Sequence, residues 1–124
     1  MRILLDTHVL LWALGSPAKL SSASRKQIEA AEVYVSAASI WEISIKSAIG
    51  KLKADPAEVL GGVSPAGFSM LAITGEHAAK VIKLPPLHKD PFDRMLIAQA
   101  LIEPMIFLTN DRGLRDYGPF VNLV

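Results

Sequence analysis

Four acidic side chains, Asp6, Glu42, Asp93 and Asp111, stand where a short apolar run ends or a helical stretch begins. Asp6 closes the run Met1–Leu5, Glu42 falls in the first turns of the helical stretch after Val33–Ser36, and Asp111 follows Ile106–Thr109. Asp93 lies in the first turn of a stretch that opens at Pro91. Carboxylates brought together repel one another and hold protons more tightly unless a cation sits between them. The chain has no cysteine, so a metal bound here would meet hard oxygen donors, which favour Mg²⁺ or Mn²⁺ over zinc. Such a site grips phosphate oxygens, activates water and stabilises the leaving oxygen of an in-line displacement at phosphorus. Phosphodiester hydrolysis is the reaction class it suits.

Each acid also has an ordinary structural reading. Asp6 can cap the helix that Thr7 starts, and Asp111 a short helix at Arg112–Arg115. Asp90, Pro91 and Asp93 have the order of a cap, a first-turn proline and an acid three residues on, which resembles a capping box. Glu42 stands among Ile40, Trp41, Ile43 and Ile45, where a buried carboxylate needs a partner or a metal. Lys46, one turn on, can supply that partner. Thr7, Thr109 and Ser39 can orient the acids through their hydroxyls or satisfy nearby backbone groups. Arg94, Arg112 and Arg115 can contact phosphates or serve as solvated helix charge. His8, His77 and His88 show no paired ligand spacing and read as core or surface residues. Trp12 and Trp41, in apolar helical surroundings, read as core or interface anchors.

What must position the acids is an alternation of strands and helices. Met1–Leu5, Val33–Ser36, Met70–Ile73, Ile106–Thr109 and Phe120–Val124 are brief apolar runs suited to buried parallel strands. Ser21–Ala31, Ala37–Ile49, Glu76–Ile82 and Pro91–Ile102 read as helices. Asp55–Gly67, rich in glycine and proline, is the least regular connection, one short helix and a turn. This order predicts a parallel α/β sheet in a single domain over residues 1–124, and in such sheets ligands bind beyond the carboxyl ends of the strands. With 13 Lys and Arg against 12 Asp and Glu, no global basic field advertises a polyanion, so nucleic-acid binding must be local. Asp6 interrupts the first apolar run too early for a signal peptide or a membrane span. A soluble, cytoplasmic protein is expected.

The stretches LLDTHVLLWAL, VSAASIWEISIKSAIGKL, LPPLHKDPFDRMLIAQAL and FLTNDRGLRDY resemble the four signature regions of PIN domains, in the subgroup of VapC-like ribonuclease toxins. The resemblance runs almost end to end and is weakest between Asp55 and Gly67. It implies a three-layer α/β/α sandwich with a mainly parallel sheet, homodimers, a Mg²⁺ or Mn²⁺ site and RNA as substrate. Carried over, the family's four acids fall on Asp6, Glu42, Asp93 and Asp111. DPFDR offers Asp90 as well as Asp93 for the third; DRMLIAQA fits the family's acid-then-apolar helix, which favours Asp93 and leaves Asp90 to cap or support it. Asp116 is a further supporting acid or a surface charge. A small antitoxin partner is likewise implied. Another class of function is a non-catalytic Mg²⁺-binding interaction or phosphoacceptor module. A receiver-like module needs paired acids after its first strand and a lysine at a late strand end, whereas here Asp6 stands alone and Asp111 follows Thr109-Asn110.

Overall fold

Alternate residues of the first strand serve opposite layers. Ile3 and Leu5 enter one hydrophobic cluster and Leu4, between them, enters another. The same split recurs in Phe107 and Leu108 near the chain's other end. A strand buried on both faces cannot alternate apolar with polar residues, which is why these runs are continuously apolar. The computed structural model describes residues 1–124.

Five parallel strands form one sheet: β1 (Arg2–Leu5), β2 (Glu32–Ser36), β3 (Ser69–Leu71), β4 (Ile106–Thr109) and β5 (Val121–Leu123), in the order β3-β2-β1-β4-β5. Six helices accompany them: α1 (Thr7–Gly15), α2 (Ser22–Ala30), α3 (Ala37–Ala48), α4 (Pro56–Val63), α5 (Gly75–Lys80) and α6 (Pro91–Ile102). Val9 and Leu10 of α1, Ile28 of α2, Ile43 of α3, and Val59 and Val63 of α4 cover one face. Leu96, Ile97 and Ala100 of α6 cover the other, with Leu84 and Leu114 from the connections. Helices on both faces make the expected three-layer α/β/α sandwich.

Most expected elements appear within a residue or two of their expected ends. The third strand is Ser69–Leu71 rather than Met70–Ile73, a short edge strand pairing only with β2. The expected helix Glu76–Ile82 begins instead at Gly75, capped by Thr74, and tightens into a 3₁₀ turn at Val81–Lys83. Thr74 and His77 form a capping box there. His77 is fully buried, donating from Nε2 to Glu103 (2.7 Å) while Nδ1 accepts the Thr74 N–H (3.0 Å). No helix is long and apolar enough to cross a membrane.

The chain order turns back at β1. Strands β1 to β3 run outward on one side, and β4 and β5 extend the sheet on the other. Just beyond the carboxyl ends of β1 and β4 lies the switch point, where parallel sheets open a crevice. Asp6 and Asp111 follow those two strands.

Candidate active site

Asp6 is fixed from two directions. Its Oδ1 caps α1 by accepting the Val9 N–H at 3.0 Å, and its Oδ2 accepts the Thr109 hydroxyl. Thr109 Oγ1 in turn accepts the Asp111 N–H at 3.1 Å, so one hydroxyl at the end of β4 couples the acids after β1 and β4. The sequence left capping and site roles for Asp6 as alternatives; the side chain caps the helix and also faces the crevice.

Glu42, on α3, is only 4% exposed. The Thr7 hydroxyl donates to its Oε1 at 2.7 Å and also contacts Ser39 Oγ at 3.1 Å. Lys46 pairs with Oε2 one helical turn away, and donating to that carboxylate raises the lysine's pKa above its ordinary value. Asp90 caps α6 through the N–H groups of Phe92 (2.8 Å) and Asp93 (3.1 Å). The reciprocal half of the expected capping box is missing, because the Asp90 N–H is directed to His88 Nδ1 at 3.3 Å. Asp93 is thereby left facing the crevice.

One cavity of about 250 Å³ is lined by Asp6, Thr7, His8, Glu42, Lys46, Asp90, Asp93, Asn110 and Asp111, with no apolar side chain among them. Five carboxylates thus share it with one ammonium group. Burial, then the charges of Asp90, Asp6, Glu42 and Asp111, push the Asp93 carboxyl up to about 7. Asp6 is raised as well, chiefly by burial, against the lowering effect of its hydrogen bond from Thr109. The amino ends of α1 and α6 meet the crevice with Asp6 and Asp90 as their caps, and their backbone dipoles offset part of the negative charge.

The other sequence candidates divide. Thr7 and Lys46 line the cavity, while Ser39 and Thr109 stand behind it as buried hydroxyls. Arg94 does not line it. Its guanidinium holds the connection before α6, donating to the carbonyls of Val81 (2.9 Å), Pro85 (3.0 Å) and His88 (3.4 Å) and to the Tyr117 hydroxyl (3.1 Å). Asp116 also lies outside the cavity, exposed. His88, read from sequence as an ordinary core or surface residue, is 3.2 Å from Asp111 Oδ2, and with Asp93 and Asp111 it forms a group whose ligand atoms lie within 4.8 Å of one another. Asn110 and His8 line the cavity although sequence reasoning gave neither a role there. Only the adjacency of Asn110 to Asp111 offered any signal.

Residues 3–118 match the sequence model of the family described as PIN domain. Ribonuclease VapC22 of Mycobacterium tuberculosis is 32% identical over 120 residues, covering 93% of this chain and 91% of that protein. Among solved structures, one of VapBC2 from Rickettsia felis bound to a DNA fragment from its promoter has a similar chain, with TM-score 0.72 at 14% identity, covering 100% of this chain and 98% of the other. A chain in the DNA-bound VapBC structure from Salmonella typhimurium gives TM-score 0.65 at 18% identity, covering 100% of this chain and 97% of its own length.

Proposed function

Because the chain belongs to the PIN domain family, we propose that its carboxylate crevice is the active centre of a metal-dependent ribonuclease, and that the protein is the toxin of a toxin–antitoxin pair. The observation that carries this reading is the excess of five carboxylates over one ammonium in a cavity without apolar lining. Asp6, Glu42, Asp93 and Asp111 would hold Mg²⁺ or Mn²⁺. The donor set fits: every acid offers hard oxygen, and an oxygen already accepting one hydrogen bond keeps a second acceptor site. When bound, the ion supplies Lewis acidity toward a phosphodiester and a nearby water.

The chain's own residues do the remainder. Thr7 and Thr109 hold Glu42 and Asp6 in fixed rotamers, so the acids are aimed before substrate arrives. Lys46 tempers the charge of Glu42. A neighbouring cavity lined by His8, Lys46, Lys51, Thr7 and Glu42 continues the crevice toward positive charge and suits the next phosphate of an RNA strand. Cytoplasm is the compartment this reading requires, since RNA is there.

The supporting experiment follows cleavage of total RNA by the purified chain with Mn²⁺, with Mg²⁺ and with a chelator. Discrete cleavage that appears only with metal is expected. Cleavage that survives the chelator, or its absence with both metals, refutes the reading.

Two partners follow. A groove of about 810 Å³ between α1 and α4, lined in part by Leu11, Trp12, Leu52, Ala54 and Val59, reaches the crevice at His8; a small antitoxin segment bound there would cover the site's approach. Trp41, Ile45 and Ile49 form a stripe along α3, with Trp41 60% and Ile49 61% exposed. We assign that stripe to a homodimer contact.

A further inference from the structure

We propose that His88 is a positioning residue of this centre: its Nε2–H holds Asp111 in the orientation in which that carboxylate meets the metal. The inference rests on the ribonuclease reading above and concerns how one of its ligands is aimed.

Asp111 most needs such a hold. It follows β4 as the cap of a short 3₁₀ helix at Arg112–Tyr117, its side chain is 42% exposed, and the other four carboxylates of the cavity repel it toward solvent. Its Oδ1 is engaged by the Gly113 N–H at 2.8 Å. Only His88 Nε2, at 3.2 Å, restrains Oδ2.

The hydrogen-bond network assigns the ring proton. Nδ1 lies 3.3 Å from the Asp90 N–H, a group that can only donate, so Nδ1 accepts and the proton belongs on Nε2. A nitrogen carrying its proton toward Asp111 is a donor to the carboxylate and offers no lone pair to a cation. The other polar neighbour, Asp93 Oδ2, is 3.7 Å from Nδ1, beyond hydrogen-bonding distance. His88 therefore joins two connections that carry acids, one ahead of α6 and one after β4, while its Nε2–H leaves the second acceptor site of Oδ2 open.

Two supports hold the ring in place. Arg94 Nη1 contacts the His88 carbonyl at 3.4 Å and the Pro85 carbonyl, and Nη2 reaches Val81, so the guanidinium fixes the preceding chain. Gly113 leaves the space: a Cβ there would stand 3.1 Å from Asp111 Oδ1 and 3.8 Å from His88 Cδ2.

The two ring nitrogens can be separated by substitution. In His88→Asn the amide oxygen can still accept the Asp90 N–H but no donor reaches Asp111. In His88→Gln the amide N–H reaches about where Nε2 stands and the hold on Asp111 survives. Titration of the metal-free protein with Mn²⁺, followed by calorimetry, should show Asn weakened about 10- to 100-fold, the usual cost of losing a group that orients a ligand. Gln should stay close to wild type. Asn binding as wild type does, or Gln losing as much as Asn, overturns the proposal. Spin-echo spectra of bound Mn²⁺ provide the second readout. A directly bound nitrogen signal that vanishes in His88→Gln would make the ring a ligand and also overturn it; spectra alike in both proteins support it. Metal-free melting curves check that the variants fold, and the spin-echo comparison decides if His88→Asn does not. Wild type that binds no Mn²⁺ at all sinks the metal-centre reading together with this one, whereas failure of the Asn and Gln pattern alone leaves that reading standing.

Discussion

Burial first, and then the charges of the neighbouring acids, make Asp93 hold its proton, and this sets how the metal-free protein responds to pH. Its folded pKa, about 7, lies above the ordinary 3.8, so the folded state holds a proton that the unfolded chain releases. Stability is then greatest below the unfolded value, falls as pH rises between roughly 4 and 7, and levels off above. In the absence of metal, Asp93→Asn should melt several degrees above wild type at pH 8 and at the same temperature near pH 3.5. Equal melting temperatures at pH 8 would show that neither burial nor the neighbouring acids penalise the charged Asp93 carboxylate. Asp6→Asn keeps an oxygen for the Val9 N–H, and Asn caps helices about as well as Asp. RNA cleavage should fall by about a hundredfold or more while the metal-free melting temperature holds; full activity would mean that Asp6 only caps α1. Asp6, Asp93 and Asp111 were legible in the sequence because each adjoins a recognisable strand or helix end, and Glu42 because it is a carboxylate in an apolar helical stretch. His88 was not, because its partner Asp111 is distant in sequence and the two meet only through packing of α6 against β4.

At the scale of elements, the long apolar runs and first-turn signals were readable, and Pro91–Ile102 was placed at its observed ends. Less readable were elements stabilised by a few contacts. The three-residue edge strand Ser69–Leu71 starts on a serine and stops within the apolar run Met70–Ile73, and its Ser69 and Met70 are exposed. By residue type alone Arg94 suits a phosphate, yet its position near the start of α6 lets it brace the connection from Val81 to His88. Arg94→Ala should cost about 1.5–3 kcal/mol through the charge-assisted hydrogen bonds it loses, although the Val81 and Pro85 carbonyls keep the N–H groups of Leu84 and Leu87; urea denaturation measures it, and an unchanged midpoint would mean that water replaces the guanidinium without loss. On α3 the outward stripe makes a separate claim. If Ile49 lies in a dimer contact, which typically buries about 1,200–2,000 Å² in total, Ile49→Lys should convert the protein to monomers in light scattering without lowering the stability of the fold. Dimers that persist place the contact elsewhere.

For the whole molecule, a formal net charge of +1 hides a separation: carboxylates crowd the strand ends, and lysines lie along the adjoining cavity. The balance of composition could not reveal this, because it depends on which residues the sheet order brings to one edge. Lys51 lines the adjoining cavity but not the carboxylate cavity. Lys51→Ala should weaken binding of single-stranded RNA and reduce the salt slope of that binding by roughly 0.7, while Mn²⁺ affinity stays unchanged. An unaltered slope would remove Lys51 from the RNA path. The double engagement of Asp6 and Asp111, each bonding a backbone N–H beside the crevice, also constrains how descendants of this gene can lose activity. Replacing either acid by Ala or Val surrenders a cap as well as the proposed ligand, so selection for a folded protein would still act against the change. Asn keeps the cap and is reached from Asp by a neighbouring codon. Lineages that retain the protein after its chemistry becomes dispensable should therefore accumulate Asn at positions 6 and 111, leaving inactive copies that fold normally and would still compete for the proposed partner.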